Sequence, residues 1–203
     1  ARHHVCIYDE RSQSMFTGDT FGVSYREFDV NGMEFVFPTT SPVQFDPDAA
    51  HASLDRIMSF TPQFAYLTHY SRITHLEQHA NAMHRLIDAH VAIAQNANTP
   101  QSDRQSVISE ELKALFKQCL STHDCRLSEV EVNQLLRSDI KLNAQGLVYW
   151  LDHPTEHGST KHLARVVRLN DGQCGKCCQI PAWVDGKATR WLQLQHGMVF
   201  LCA

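Results

Sequence analysis

The sequence predicts an α/β protein: an α/β layer, then a helical extension, then a small β-rich tail that carries cysteines. Three observations predict it. A strand-like run, a helical stripe and a second strand-like run follow one another between residues 34 and 68. Apolar residues at helical spacing then dominate 75–151. After Asp152 the composition shifts to β-prone runs separated by the turn signals Asn170-Asp171-Gly172 and Asp185-Gly186. The divisions fall at 1–95, 96–151 and 152–203.

The elements follow in order. Residues 5–8 and 14–18 read as a hairpin across the polar Asp9-Glu10-Arg11-Ser12-Gln13. Glu34-Phe35-Val36-Phe37 is a further strand, stopped by Pro38, and 38–47 is a loop rich in Thr, Ser and Pro. A helix opens at Asp46, with Pro47 in its first turn, where the missing N–H costs nothing. Ala50, Leu54, Ile57 and Met58 form its apolar face, and 64–68 follows as a buried strand. Leu76, Met83, Ile87 and Val91 mark a helix over about 75–95. After a linker at 96–101, a helix over about 103–120 opens on a Ser102/Gln105 capping box, and another opens on Ser128/Glu131. Ile140, Leu142, Leu147 and Trp150 extend the helical pattern over 139–151, against the low propensity of Gly146. Trp183, Trp191, Val199 and Phe200 are the expected core of the tail.

The chain has 203 residues, 43% of them hydrophobic and 20% charged, with net charge -4. That is enough for one ordinary domain. The balance lacks the basic face that nucleic acid requires, and no apolar run reaches the length of a membrane span. The start, Ala1-Arg2-His3-His4-Val5, has no initiator Met and no signal-peptide pattern, so a cytoplasmic fragment of a longer product is expected. Seven cysteines without a secretion signal read as reduced thiols.

Chemistry is expected first at Asp19 and His69. Each closes an apolar strand, Met15-Phe16-Thr17-Gly18-Asp19 and Phe64-Ala65-Tyr66-Leu67-Thr68-His69. Carboxylate oxygen and imidazole nitrogen both bind zinc. By residue type alone, a loop cap at Asp19 and a satisfied surface or core histidine at His69 are the commoner readings. The run Phe16-Thr17-Gly18-Asp19-Thr20 resembles the G-D motif of the metallo-β-lactamase-fold hydrolases, and Tyr66-Leu67-Thr68-His69 resembles their final ligand motif. Ala1-Arg2-His3-His4 is similar to the stretch after that family's T-P-G-H histidine. Ser24-Tyr25-Arg26-Glu27-Phe28-Asp29, Phe37-Pro38-Thr39-Thr40-Ser41-Pro42 and Asp139–Leu147 resemble a bacterial subgroup. The resemblance covers residues 1–95 and about 139–151, the C-terminal half of an αββα sandwich.

The resemblance implies metal-assisted hydrolysis of an ester, thioester, amide or phosphoester. Two divalent metals, zinc in the first instance, would activate a water, whose pKa falls to about 7 on a catalytic zinc. It implies that Asp19 bridges the metals and orients the nucleophile and that His69 completes one metal's shell. Tyr25, Arg26 and Tyr70 would line the side facing a small-molecule substrate. The H-x-H-x-D-H motif is absent from the sequence, so the chain alone should lack a complete site, since catalytic zinc keeps three protein ligands. The loop Phe21-Gly22-Val23-Ser24-Tyr25-Arg26 also departs from the thioester-cleaving glyoxalase II branch.

Other residues carry weaker readings. His3 and His4 are an exposed pair or a support to ligands, and His75 and His79, four apart, share a helix face. Cys174-Gly175-Lys176-Cys177-Cys178 contains a C-x-x-C spacing that can grip a structural zinc, with Cys202, His196 or His162 as further ligands. Plain or redox-active thiols are the alternatives. A half-sandwich would leave an open sheet edge, so a homo-oligomer or poor solubility is expected. The contrasting reading is a non-catalytic binding or assembly module, docking a partner through 103–151 and the tail.

Overall fold

The structure, a computed structural model, describes residues 5–43, 45–69 and 71–154 and four later strands. For Arg165 and the last three of those strands it describes the backbone alone. The architecture is mixed α/β, with a five-stranded mixed sheet and four helices.

Strands β1 (Val5–Asp9) and β2 (Ser14–Gly18) form the expected hairpin, with Ile7 opposite Phe16. β3 (Val23–Ser24) pairs antiparallel with β4 (Val36–Phe37) in a separate two-stranded sheet. The run at 34–37 therefore does not belong to the layer that the strand–helix–strand order suggested. The parallel partner of β5 (Phe64–Leu67) is β2, reached through α1 (Pro47–Met58). A short strand β6 (Ser71–Ile73), absent from the sequence reading, turns back antiparallel on β5. β7 (Arg165–Leu169) lies parallel to β1, and the sheet order is β6-β5-β2-β1-β7. Strand β8 (Gln179–Val184) pairs antiparallel with β9 (Lys187–Gln195), and β9 with β10 (Met198–Phe200), so the described part of the tail is β-rich as expected.

The helices form where capping and periodicity place them, with one exception. Asp46 caps α1, its Oδ1 accepting from Ala49 N–H at 3.0 Å. α2 spans Leu76–Asn96 and buries Met83, Leu86 and Ile87. α3 (Gln101–Thr122) starts at Pro100 without a side-chain cap; the Ser102 hydroxyl lies on Asp103 Oδ1 instead, which corrects the expected Ser102/Gln105 box. α4 (Glu129–Asp152) carries the Ser128/Glu131 box and runs on through 139–151 as one helix. Among the described residues, no helix is long and apolar enough to cross a membrane.

Gly146 lies inside α4 because the backbone at Thr40 passes over it. A Cβ there would sit 1.4 Å from the Thr40 carbonyl oxygen. One turn away, buried Asn143 accepts from Thr40 N–H at 2.8 Å and donates to the Pro38 carbonyl at 3.1 Å. Thr40 Oγ1 returns a bond to the Asn143 carbonyl at 2.9 Å. The Tyr25 hydroxyl donates to Asp139 Oδ2 at 2.6 Å. Two segments far apart in sequence, at Tyr25 and at 38–40, are thereby fastened to one face of α4. The core beneath them is aromatic, with Phe37 edge-on to Phe116 at 5.2 Å and Phe28 edge-on to Phe35 at 5.9 Å.

Candidate metal centre

The parallel pairing of β2 with β5 sets their C-terminal tips side by side. Gly18 is in register with Leu67, after a bulge that follows Phe16. Gly18 has φ 58°, a left-handed conformation that a side chain would strain. That turn directs the chain off the sheet at Asp19, where Gly22 N–H closes on the Asp19 carbonyl at 3.0 Å. The two tips are tied together by Thr68 N–H on the Gly18 carbonyl at 3.3 Å. Buried Thr17 donates through its hydroxyl to the Tyr66 carbonyl at 3.4 Å.

Asp19 and His69, fifty residues apart in sequence, meet at these tips. Asp19 Oδ1 lies 3.7 Å from His69 Nε2. That is less than the sum of a zinc–oxygen and a zinc–nitrogen distance, about 4.1 Å, so one cation can touch both. Asp19 Oδ1 is also a buried oxygen without a hydrogen-bond partner, which fits a carboxylate aimed at a cation. The His69 side chain is 56% exposed. Among the described residues, no group of three or more His, Cys, Asp or Glu side chains is placed to hold a metal ion.

The candidate substrate-facing residues have other partners. Tyr25 is held by Asp139 and stacks on Phe37 at 6.1 Å. Arg26 pairs with Asp29 at 2.8 Å and donates to the Arg72 carbonyl. Tyr70, His3, His4, His162, His196, Cys174, Cys177, Cys178 and Cys202 lie outside the described residues, as do the turns at 170–172 and 185–186. The side chains of Trp183, Trp191, Val199 and Phe200 are likewise outside the described ones. Among the described residues Cys6, Cys119 and Cys125 are free thiols. Burial pushes the Cys6 thiol up to about 11, so it stays protonated and is a poor metal ligand.

The sequence reading missed a second polar centre. Glu34 is buried and accepts from Thr74 N–H at 2.9 Å and from His79 Nε2 at 3.2 Å, with His75 Nδ1 3.8 Å away. Burial pushes the Glu34 carboxyl up, but the donors around it override that effect and hold it below the usual carboxylate range. Burial drives His79 below its ordinary value, so it is neutral and donates through Nε2. Together they border a cleft of about 510 Å³ between α2, α3 and residues 33–36, with Arg85 and His123 also lining it. The His75/His79 spacing was the available signal; its partner Glu34 carried none.

Comparison with family models, with curated proteins and with solved structures finds no match to this chain.

Proposed function

We propose that the chain is the C-terminal half of a metallo-β-lactamase-like metal-dependent hydrolase. The observation that carries this reading is the meeting of Asp19 and His69 at adjacent parallel strand tips, with an orphaned carboxylate oxygen between them. A second observation supports it. The segments that resemble the bacterial subgroup, around Tyr25, around Thr40 and over 139–147, are joined by the Tyr25–Asp139 and Thr40–Asn143 bonds. Residues that serve one fold should be mutually dependent in this way.

In this reading Asp19 and His69 hold divalent metal, zinc in the first instance, and the metal supplies a Lewis acid and an activated water. Asp19 contributes a carboxylate at the strand tip, where the Gly22 N–H holds its carbonyl. His69 contributes an imidazole nitrogen from the β5–β6 turn. The substrate is a small molecule with an ester, thioester, amide or phosphoester bond. Two ligands are short of the three that a catalytic zinc requires, so the chain alone is expected to be inactive.

Metal content of the purified chain, beside an Asp19→Ala/His69→Ala variant, tests the reading. Weak zinc binding that disappears in the variant is the expected result. Zinc retained in the variant assigns the metal to the cysteine tail. Absence of metal from both, at millimolar zinc, favours the binding or assembly module.

A further inference from the structure

Helices α1 and α2 each carry a histidine followed four residues later by an aspartate: His51 and Asp55 on α1, His84 and Asp88 on α2. Spacing of four puts each pair on one helix face. The two faces meet. His51 Nδ1 lies 2.6 Å from His84 Nδ1. Each imidazole turns its other nitrogen to the aspartate of the opposite helix, His51 Nε2 to Asp88 Oδ1 at 3.0 Å and His84 Nε2 to Asp55 Oδ1 at 3.2 Å. The ring planes are within 2° of parallel and the centroids are 4.9 Å apart. That separation is the N···N distance plus the radii of two five-membered rings, so the rings lie edge to edge in one plane. The result is a linear array, Asp88–His51–His84–Asp55.

Proton counting decides the state of this array. A carboxylate only accepts, so each outer contact needs an N–H on Nε2. With both Nε2 atoms protonated, two neutral rings would set bare Nδ1 lone pairs against each other at 2.6 Å. The central contact therefore needs one more proton. Three contacts take three protons on four ring nitrogens: one imidazolium and one imidazole. Charge-assisted hydrogen bonds are shorter than neutral ones, in keeping with the central distance. A transition metal does not fit between the rings as they stand. Two zinc–nitrogen distances of about 2.0–2.1 Å at a tetrahedral angle hold the nitrogens more than about 3 Å apart.

We propose that His51 and His84 form a site for one shared proton, which clasps α1 to α2. The charged groups set against it come from both helices, Asp55 and Asp88. Asp48, Arg56 and Arg85 on the same helices make no ion pair with either ring among the described residues. The rings are about one-quarter exposed, so they exchange protons with solvent. Full deprotonation forces one outer contact to break, and double protonation breaks the central one. Helix α1 precedes, and α2 follows, the β5–β6 turn that carries His69, so the clasp joins the two supports of that turn.

Linkage sets the expected signature. Loss of the shared proton as pH rises leaves one contact of the array without its donor, so the clasp weakens on that side. A fourth proton as pH drops sets two N–H groups against each other at the centre, so the clasp weakens on that side as well. The test is Tm of the full chain from about pH 5 to about pH 8, for wild type, His51→Gln and His84→Gln. The difference between wild type and either variant should pass through a maximum. A difference flat with pH overturns the proposal. If a variant fails to fold, ring-nitrogen NMR of the wild type decides: three protonated nitrogens for the pair near neutrality support the shared proton, and two independent neutral rings refute it. A zinc-dependent rise in Tm that both variants lose would make this a metal site instead and overturn the shared-proton assignment.

Discussion

His90 shows what a single buried base does to this protein. It is fully buried on α2, its Nδ1 donating to the Leu86 carbonyl at 2.7 Å and its ring edge-on to Phe116. Its Nε2 has no partner, so protonation would bury an unpaired charge. Burial pushes its pKa down to about 4. The unfolded chain takes the proton near about 6.5 and the folded chain only near 4, so the contribution is complete above 6.5 and is lost progressively between those values. The loss amounts to roughly 3 kcal/mol. A His90→Leu variant should show a shallower fall in stability from pH 6.5 to pH 4, read by chemical denaturation. A fall as steep as wild type would contradict the assignment. Glu34 behaves differently, because its carboxylate is fully partnered. Glu34→Gln should destabilise by on the order of 2 kcal/mol, since His79 and Thr74 lose a charged acceptor. A denaturant midpoint unchanged from wild type would count against it.

Among the elements, α4 is the most informative. Helix propensity alone says that Gly146→Ala should stabilise it by about 1 kcal/mol. The Thr40 carbonyl in the path of the new Cβ reverses the sign, and a loss on the order of 3 kcal/mol is expected. A thermal melt of the variant decides between the two. Ser128→Ala should cost about 1 kcal/mol, because the reciprocal capping box is present. The equivalent change at Ser102 should cost little, since α3 begins without that cap. These comparisons show how far local reading goes. Asp46, Pro47 and the Ser128/Glu131 pair were legible because a cap is satisfied within four residues. The Ser102/Gln105 box failed because Pro100 starts the helix first. β6 escaped notice because three residues show no period, and it forms only on the template of β5.

For the whole molecule, the order of strands matters more than their number. β1 is not an edge: β7 covers its outer side over residues 165–169. The edges that remain are blunted in familiar ways. β6 is three residues long with Arg72 folded over Phe64 at 4.8 Å, and Arg168 on β7 pairs with Glu10 at 3.0 Å. A chain ending at Pro154 would uncover the apolar Val5-Cys6-Ile7-Tyr8 edge. It should self-associate, as measured by light scattering after size exclusion, whereas the 203-residue chain should associate less. Equal behaviour of the two would mean that β7 does not protect β1.

The candidate site divides along the same line. Sequence alone determined that Asp19 and His69 end apolar strands, and that α1, α2 and α4 begin and run where they do. Those are short-range matters of periodicity, capping and turn chemistry. Only the tertiary structure decided that β2 and β5 are parallel neighbours, which brings the two side chains within 3.7 Å. The same holds for Glu34 beside His79, for Asn143 on the Thr40 loop, and for the two His-Asp pairs on facing helices. Each joins residues far apart in sequence, His84 and Asp55 being the nearest in the chain, and no local propensity encodes a partner at that distance. The pairing is selected by burial of the common core, which acts on all the elements at once.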